Sequence, residues 1–128
     1  KYGCRVTTTT ISDNQYQQAV QRVQAAGLDD RITVLKSDYR DLDVAQGFDR
    51  IASVGMFEHV GIGSYGTFFG KVADVLADDG VMLLHAIGRP KPSYATNPFI
   101  EKYIFPGGFL PSTQTFIEQA KEAGLVVA

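Results

Sequence analysis

Residues 48–87 decide the fold, and they read "FDRIASVGMFEHVGIGSYGTFFGKVADVLADDGVMLLHAI". The apolar run at 48–54 predicts a strand. Residues 64–80 carry apolar side chains at helical spacing and end on a glycine, which predicts a helix. The continuous apolar run at 81–87 predicts a strand that is buried on both faces. A strand, a helix and a second strand in this order predict a parallel α/β unit.

The flanking segments extend the same alternation. Upstream, two β-rich runs lie on either side of an amphipathic segment that begins at a serine and ends at a glycine. Downstream, a proline-rich segment precedes another amphipathic segment. The predicted elements are strands at 4–10 and 31–38, helices at 12–27 and 112–124, a loop at 88–111 and a last strand from 125. This order predicts one α/β domain over residues 1–128, with a mostly parallel sheet and helices on both of its faces.

The composition excludes several classes of protein. The net charge is −2, so no basic field favours nucleic acid as a partner. No apolar run approaches the ~18 residues that a membrane-spanning helix needs. Cys4 is the sole cysteine, which excludes an internal disulfide and favours a reducing compartment. One cysteine and two histidines give no ligand spacing for a metal ion.

Gly61, Gly63 and Gly66 match the G-x-G-x-x-G spacing of a dinucleotide-binding loop. Such a loop places its first glycine at the turn that leaves a strand, but Gly61 lies seven residues after Val54. The strand at 81–87 also ends without the acid that would bind a ribose. We therefore interpret these glycines as a loop before the helix.

Ligands of parallel α/β sheets bind beyond the carboxyl ends of the strands, so the residues that follow each strand are the candidates for chemistry. Glu58 and His59 follow the strand at 48–54, in a segment too polar for a core. A carboxylate beside an imidazole can accept and deliver protons. His85 lies in an apolar strand. It is either a satisfied core histidine or the partner of Glu58 in an anion or general-base site.

Other candidates carry alternatives of their own. The segment after the second strand is either a solvated loop or an adenine-binding site made of an acid and an aromatic ring. It comprises Asp38, Tyr39 and Arg40. Gln15 either completes the capping box that Ser12 begins or bonds a ribose hydroxyl. An aromatic cluster near the C-terminal end is either hydrophobic packing or an apolar wall for a lipid chain or a cation. It comprises Phe99, Tyr103, Phe105 and Phe109.

The segments that contain these residues resemble the cyclopropane-fatty-acyl-phospholipid synthases and their relatives, the mycolic-acid cyclopropane synthases. The likeness runs from about Tyr2 to Val127 and depends most on "MFEHVG" and "KYIFPGG". It implies a class I methyltransferase with a Rossmann-like sheet. Such an enzyme transfers the methyl group of S-adenosylmethionine (SAM) to a cis double bond of a phospholipid acyl chain. A carbocation forms, and a bound bicarbonate ion removes a proton so that a cyclopropane ring closes.

The resemblance also implies a role for each candidate residue. Glu58 accepts a hydrogen bond from bicarbonate, and His85 donates one to it. Ile87 offers a backbone contact there, and His59 is a partner in the same motif. The aromatic cluster forms part of an acyl-chain channel. The residues implied for SAM are Thr10, Ile11, Ser12 and Gln15 at its ribose and methionine, Asp38, Tyr39 and Arg40 at its adenine, and Val54 at its flank.

Expectations about location and extent follow from the same resemblance. The substrate implies a cytoplasmic enzyme that is peripheral to the inner membrane. In the family, a first strand and a glycine-rich SAM loop precede the position of Lys1, and a cysteine and a tyrosine of the bicarbonate site have no counterpart here. We therefore expect the 128 residues to be the central part of a catalytic domain that binds SAM weakly or not at all and lacks synthase activity. We also expect the unpaired strand edges to form a homodimer, to exchange elements between two chains, or to close the gap between them.

Two alternatives stay open at this point. Another SAM-dependent methyltransferase of the same group would act on a different lipid or on a small amine. A non-catalytic α/β scaffold is the alternative from a different class. The joint presence of Glu58, His85 and Ile87 argues against that scaffold.

Overall fold

The computed structural model describes residues 2–43, 47–89, 98–104, 106 and 110–128. The chain divides into two compact units, Lys1–Asp43 and Val44–Ala128. The predicted single domain over the whole chain stays a prediction. The helices and strands are β1 (Val6–Thr10), α1 (Asp13–Ala25), β2 (Ile32–Lys36), β3 (Phe48–Val54), α2 (Tyr65–Val75), β4 (Leu76–His85) and α3 (Thr113–Glu122).

The first unit is a β-α-β arrangement. β1 and β2 pair in parallel, from Val6 opposite Ile32 to Thr10 opposite Lys36. The N-terminus of α1 is capped by Ser12, and the chain leaves the helix through Gly27, whose φ of 61° favours glycine. None of residues 2–43 is fully buried, and Cys4 is a free, exposed thiol. The predicted strand, helix and strand are confirmed.

The second unit is built on the parallel pair β3–β4. The register runs from Arg50 opposite Val81 to Val54 opposite His85, and β3 has the bounds that the sequence predicts. The pair before Arg50 and Val81 is Phe48 and Leu76. The chain advances by two residues along β3 between these pairs but by five residues along β4. The three additional residues form an irregular bulge in β4.

Two predicted elements are wrong in this unit. The helix predicted over 64–80 ends at Val75, and β4 begins at the next residue. Gly80 lies in the bulge, where a Cβ would stand 2.7 Å from the Leu76 side chain, so the bulge and not a helix end requires this glycine. The strand predicted from 125 is absent, because residues 125–128 form no strand and pair with none of the described strands. A strand needs a neighbour for its backbone groups.

The fully buried side chains of the described residues belong to the second unit. Most come from α2 and from the turn before it, and the Phe57 ring centroid lies 5.0 Å from that of Phe68 and 5.5 Å from that of Phe69. Burying one such side chain contributes on the order of 2–3 kcal/mol. The buried apolar residues are Phe57, Tyr65, Phe68, Phe69, Val72, Val75, Leu110 and Ala120.

One face of β4 is exposed, which corrects the prediction of a strand buried on both faces. Leu83 is 61% exposed, and Val81 and His85 on the same face are also exposed. Met82 and Leu84, which alternate with them, are partly buried. An exposure pattern of period two is typical of a sheet that is covered on one face. The apolar run favoured two covered faces, but coverage depends on which elements pack there.

Two glycines shape the segment between β3 and α2. Gly55 turns the chain out of β3 with a φ of 66°, and its N–H donates to the His85 carbonyl at 3.0 Å. Gly61 has a φ of 77° and precedes the short helical turn Ile62–Ser64. Of the three glycines predicted to form a loop before the helix, Gly61 and Gly63 precede α2 as predicted, whereas Gly66 lies inside α2. Within the described ranges, no helix is both long and apolar enough to cross a membrane.

Candidate functional site

Glu58 lies on a 3₁₀ turn, Phe57–His59, directly after β3. The side chain of Glu58 is only 2% exposed, which corrects the expectation that this segment is too polar for a core. The turn places Phe57 among the aromatic rings of α2, and the adjacent carboxylate is buried with it. His59, on the same turn, is exposed.

The two oxygens of Glu58 have different surroundings. Oε1 accepts a hydrogen bond from the Ile87 N–H at 2.7 Å. Oε2 is buried and has no hydrogen-bond partner among the described residues. A buried polar atom without a partner costs about 1–3 kcal/mol, and more when it is charged. Such an atom points to a missing donor, such as a ligand or a water molecule.

The end of the β3–β4 pair brings the other predicted residues to this turn. Val54, which is exposed, pairs with His85 at the last position of the ladder. Ile87 follows two residues later and contacts Glu58 through its N–H. His85 is exposed, so it is not a buried core histidine. The structure joins Glu58 directly to Ile87 and places His85 at the same strand end.

Tyr65, which the sequence did not single out, lies beside the Glu58 turn. It is the first residue of α2, it is fully buried, and its ring stacks on Phe57 with centroids 4.4 Å apart. Burial and, to a lesser extent, the negative charge of Glu58 raise the pKa of Tyr65 to about 12. The phenol is therefore uncharged at neutral pH. The sequence does contain a signal for Tyr65: a tyrosine, which has an apolar ring and a polar hydroxyl, stands at the start of the apolar face of the predicted helix.

In the first unit, the parallel pairing places the ends of β1 and β2 side by side. The Thr10 carbonyl accepts a hydrogen bond from the Ser37 N–H at 3.2 Å. The Thr10 hydroxyl donates to Oε1 of Gln15 at 2.7 Å and accepts from the Ser12 N–H at 3.1 Å. The Ser12 hydroxyl accepts from the Gln15 N–H at 3.4 Å. Only half of the predicted capping box is therefore formed, and both the amide nitrogen and the second lone pair of Oε1 of Gln15 could bond a ribose hydroxyl.

Asp38 and Arg40 form a forked ion pair after β2. Oδ1 of Asp38 accepts from the backbone N–H and from Nε of Arg40, each at 2.9 Å, and Oδ2 accepts from Nη2 at 2.7 Å. The side-chain and backbone hydrogen bonds from Arg40 lower the pKa of Asp38 to about 2. Burial raises the pKa of Tyr39, which lies between them. The segment is therefore an ordered turn whose acid is ionised at neutral pH, and its role at an adenine stays a prediction.

The remaining predicted residues are exposed where the structure describes them. Ile11, between Thr10 and Ser12, is exposed. Phe99 and Tyr103 are 61% and 62% exposed, with ring centroids 5.2 Å apart. Lys102 places its Nζ 5.1 Å from the Tyr103 ring centroid. The described half of the aromatic cluster is therefore on the surface.

Two of the predicted channel residues, Phe105 and Phe109, lie outside the described residues. Within the part of the chain that is described, no group of His, Cys, Asp and Glu side chains is arranged to bind a metal ion.

Three comparisons relate the chain to known proteins. A family model described as "Mycolic acid cyclopropane synthetase" matches residues 1–128. The chain is 46% identical, over 126 residues, to the cyclopropane-fatty-acyl-phospholipid synthase of Escherichia coli K12, covering 98% of this chain and 31% of that enzyme. It is 37% identical, over 133 residues, to a probable fatty acid methyltransferase of Pseudomonas putida, covering 99% of this chain and 34% of that protein. The chain thus spans about a third of the length of these relatives.

A solved structure shares the fold. The crystal structure of the mycolic acid cyclopropane synthase CmaA1, complexed with SAH and CTAB, matches with a TM-score of 0.80 and 31% identity. The match covers 97% of this chain and 47% of that one. It confirms the predicted fold class, a partial Rossmann-like α/β sheet of the SAM-dependent methyltransferase type.

Proposed function

The chain belongs to the mycolic acid cyclopropane synthetase family, and we propose that the protein carrying it forms cyclopropane rings on the unsaturated acyl chains of phospholipids. The methyl carbon of SAM would leave its sulfur, releasing S-adenosylhomocysteine, and bond to one carbon of a cis double bond; after losing a proton to a base it would close onto the other carbon. The 46% identity to the Escherichia coli synthase supports this activity. The structural observation that carries the proposal is the buried Glu58 carboxylate with one unpartnered oxygen at a strand end.

The Glu58 turn fits a bicarbonate ion. Two anions repel each other, so the pair is stable only if the hydroxyl of bicarbonate donates to the carboxylate. Oε2 of Glu58 suits this contact, because it is buried without a partner among the described residues while Oε1 is already bonded to Ile87. His85, exposed at the same strand end, supplies a donor for the other side of the ion. Bound bicarbonate would supply the base for the proton that leaves the transferred methyl group.

The strand ends of the first unit fit parts of SAM, which would supply the electrophilic methyl group. Asp38 stays ionised at neutral pH and can accept from an adenine amino group. Thr10 and Gln15 are fixed by their mutual hydrogen bond beside the capping Ser12, close to where a ribose would bind. Groups that are ordered before binding reduce its entropic cost. The SAH in the CmaA1 crystal supports this class of cofactor.

We propose an acyl chain of a membrane phospholipid as the substrate, reached from the cytoplasmic membrane surface. Phe99 and Tyr103 expose aromatic rings, and Lys102 places a cation beside one of them. Aromatic and cationic side chains together suit the boundary between headgroups and acyl chains. Since an alkene is a weak nucleophile, catalysis would depend on positioning it and on excluding water from the cation.

The test is turnover with vesicles of a dioleoyl phospholipid and SAM, using the protein that carries this chain. Replacing Glu58 with Gln keeps the shape but weakens the acceptor, and we expect kcat to fall by about 100-fold or more. Glu118→Gln, an exposed site on α3, is the matched control and should leave kcat unchanged. Wild-type turnover in the Glu58→Gln variant would contradict the proposed function.

The Pseudomonas putida relative favours a second candidate, methylation of the acyl chain without ring closure. In both reactions the lipid gains one CH2, so mass alone does not distinguish the products. The proton NMR spectrum of the extracted lipid does, because cyclopropane protons resonate upfield of all other acyl-chain protons. A methyl signal without ring protons would favour the second candidate.

A further inference from the structure

We propose that Tyr65 is a positioning residue for Glu58, which it places through the stack of its ring on Phe57. The proposal depends on the proposed function of Glu58 at the reacting centre. Tyr65 itself does not contact the substrate in this account. Its ring determines where the adjacent turn, and therefore the carboxylate, comes to lie.

The Glu58 turn is closed by two backbone hydrogen bonds, from the His59 N–H to the Met56 carbonyl at 2.9 Å and from the Val60 N–H to the Phe57 carbonyl at 3.1 Å. Its N-cap residue, Met56, makes no side-chain capping hydrogen bond. Glu58 is held at its tip by the Ile87 N–H, but this single bond fixes one oxygen only. A turn of three residues is too short to be rigid through its own backbone bonds. Side-chain packing of Phe57 adds to what these hydrogen bonds fix.

Phe57 supplies that packing, and among the described residues Tyr65 has the ring centroid nearest to that of Phe57. The two rings lie 4.4 Å apart with an angle of 25° between their planes, and both are fully buried. Phe68 and Phe69 meet Phe57 at 5.0 and 5.5 Å, edge-on or tilted. Stacked and edge-on pairs are both favourable arrangements, and the stacked pair with Tyr65 has the shortest centroid distance of the three. A shift of Phe57 would move the adjacent Glu58 with it.

The electrostatics agree with this placement. Burial raises the pKa of Tyr65 most, and the negative charge of Glu58 raises it further. The phenol stays neutral and brings no second negative charge to a carboxylate that already has an unpartnered buried oxygen. A neutral ring with a polar tip is thus compatible with this position, whereas an acid would not be.

The first experiment is a double-mutant cycle on kcat, in the protein that carries this chain. Tyr65→Leu removes the stacked ring and is expected to lower kcat about tenfold, because a small misplacement of a catalytic group is costly, with KM for SAM unchanged. In a Glu58→Gln background the same change should lower kcat by less than about twofold. Tyr65→Phe keeps the ring and should retain most of the wild-type kcat. Equal losses in both backgrounds, or a loss in Tyr65→Phe as large as in Tyr65→Leu, would overturn the proposal.

A matched control and a second readout separate positioning from general destabilisation. Val72→Ala truncates a side chain that is buried in the same helix and has no ring to pack on Phe57, so it should lower thermal stability without the loss of kcat. Hydrogen exchange of the Ile87 amide needs no activity, and it should accelerate about tenfold in Tyr65→Leu only, because that amide donates to Glu58. Unchanged exchange would overturn the proposal whether or not the proposed reaction is correct. Full activity of Glu58→Gln alone would instead show that the proposed function is wrong.

Discussion

At the scale of the single residue, Glu58 and Asp38 show two ways in which a carboxylate is kept at a strand end. Asp38 is bonded three times by Arg40 and remains near the surface. Glu58 is buried, with one oxygen bonded to Ile87 and the other without a partner among the described residues. The first arrangement satisfies the charge within the chain. The second leaves an acceptor for a ligand, which is why we assign the reacting centre to Glu58.

Replacing Arg40 with Gln is expected to raise the pKa of Asp38 from about 2 toward its ordinary value of 3.8. A depressed pKa contributes stability that is complete above the ordinary value and is lost as the pH falls through the lowered one. The wild type should therefore lose the contribution of Asp38 to stability as the pH falls between those two values, whereas the variant already lacks most of that contribution and should depend less on pH in this window. An NMR titration of the Asp38 carboxyl carbon measures the shift directly.

Arg31→Gln is the control for that titration. Nε of Arg31 lies 3.9 Å from Oδ2 of Asp30 in an exposed ion pair. The loss of Arg31 should therefore leave the pKa of Asp38 unchanged. A titration midpoint of Asp38 that stays near 2 after Arg40 is replaced would mean that Arg40 is not the cause of the lowered pKa.

At the scale of the element, the helices begin at serines that differ in burial. Ser112 caps α3, is only 3% exposed, and accepts from the Thr115 N–H at 3.1 Å while bonding the Thr115 hydroxyl at 2.8 Å. Ser12 caps α1 nearer to the surface, with a longer bond of 3.4 Å to the Gln15 N–H. A buried cap leaves more unpaired polar surface when it is removed.

Ser112→Ala should therefore lower the free energy of unfolding by about 1–2 kcal/mol, and Ser12→Ala by about 0.5–1 kcal/mol. Urea unfolding of the two variants, followed by circular dichroism, measures both values. The opposite order would show that burial of the cap does not decide its contribution.

How far the elements can be predicted from the sequence depends on whether the signal is local. The strand at 48–54 is correct in both bounds, because the signals that define it are local. Its apolar side chains are followed at once by Gly55, which turns the chain with a φ of 66°. The helix that was predicted to reach Gly80 is wrong, since a bulge that forms only against β3 decides the conformation of its last residues. Glu58 could be predicted as a site residue from its place after a strand. Its burial, and the part played by Tyr65, could not, because both depend on rings that meet in three dimensions.

At the scale of the whole molecule, the two units differ in how much they bury. Every fully buried residue in the described chain lies in the second unit, and residues 2–43 contain none. Regions with few buried apolar contacts open at a lower free energy than well-packed cores. The cofactor residues predicted in the first unit would thus be in the part that opens more easily, and the proposed reacting centre in the part that resists opening.

Native-state hydrogen exchange should show this difference. We expect amides of β1 and β2 to exchange at least about tenfold faster than those of α2, at positions with equivalent backbone hydrogen bonds. The amides of Phe68 and Phe69 are suitable reporters for the packed unit. Equal protection in both units would indicate that the chain opens as a single cooperative body.

The exposed thiol of Cys4 has a practical consequence for such experiments. It is the sole cysteine of these 128 residues and lies just before β1. It is not part of the buried aromatic core, which belongs to the second unit. A maleimide dye would therefore attach at one defined point without any background substitution. Its fluorescence anisotropy would report the motion of the first unit in real time, on a molecule whose second unit carries no dye.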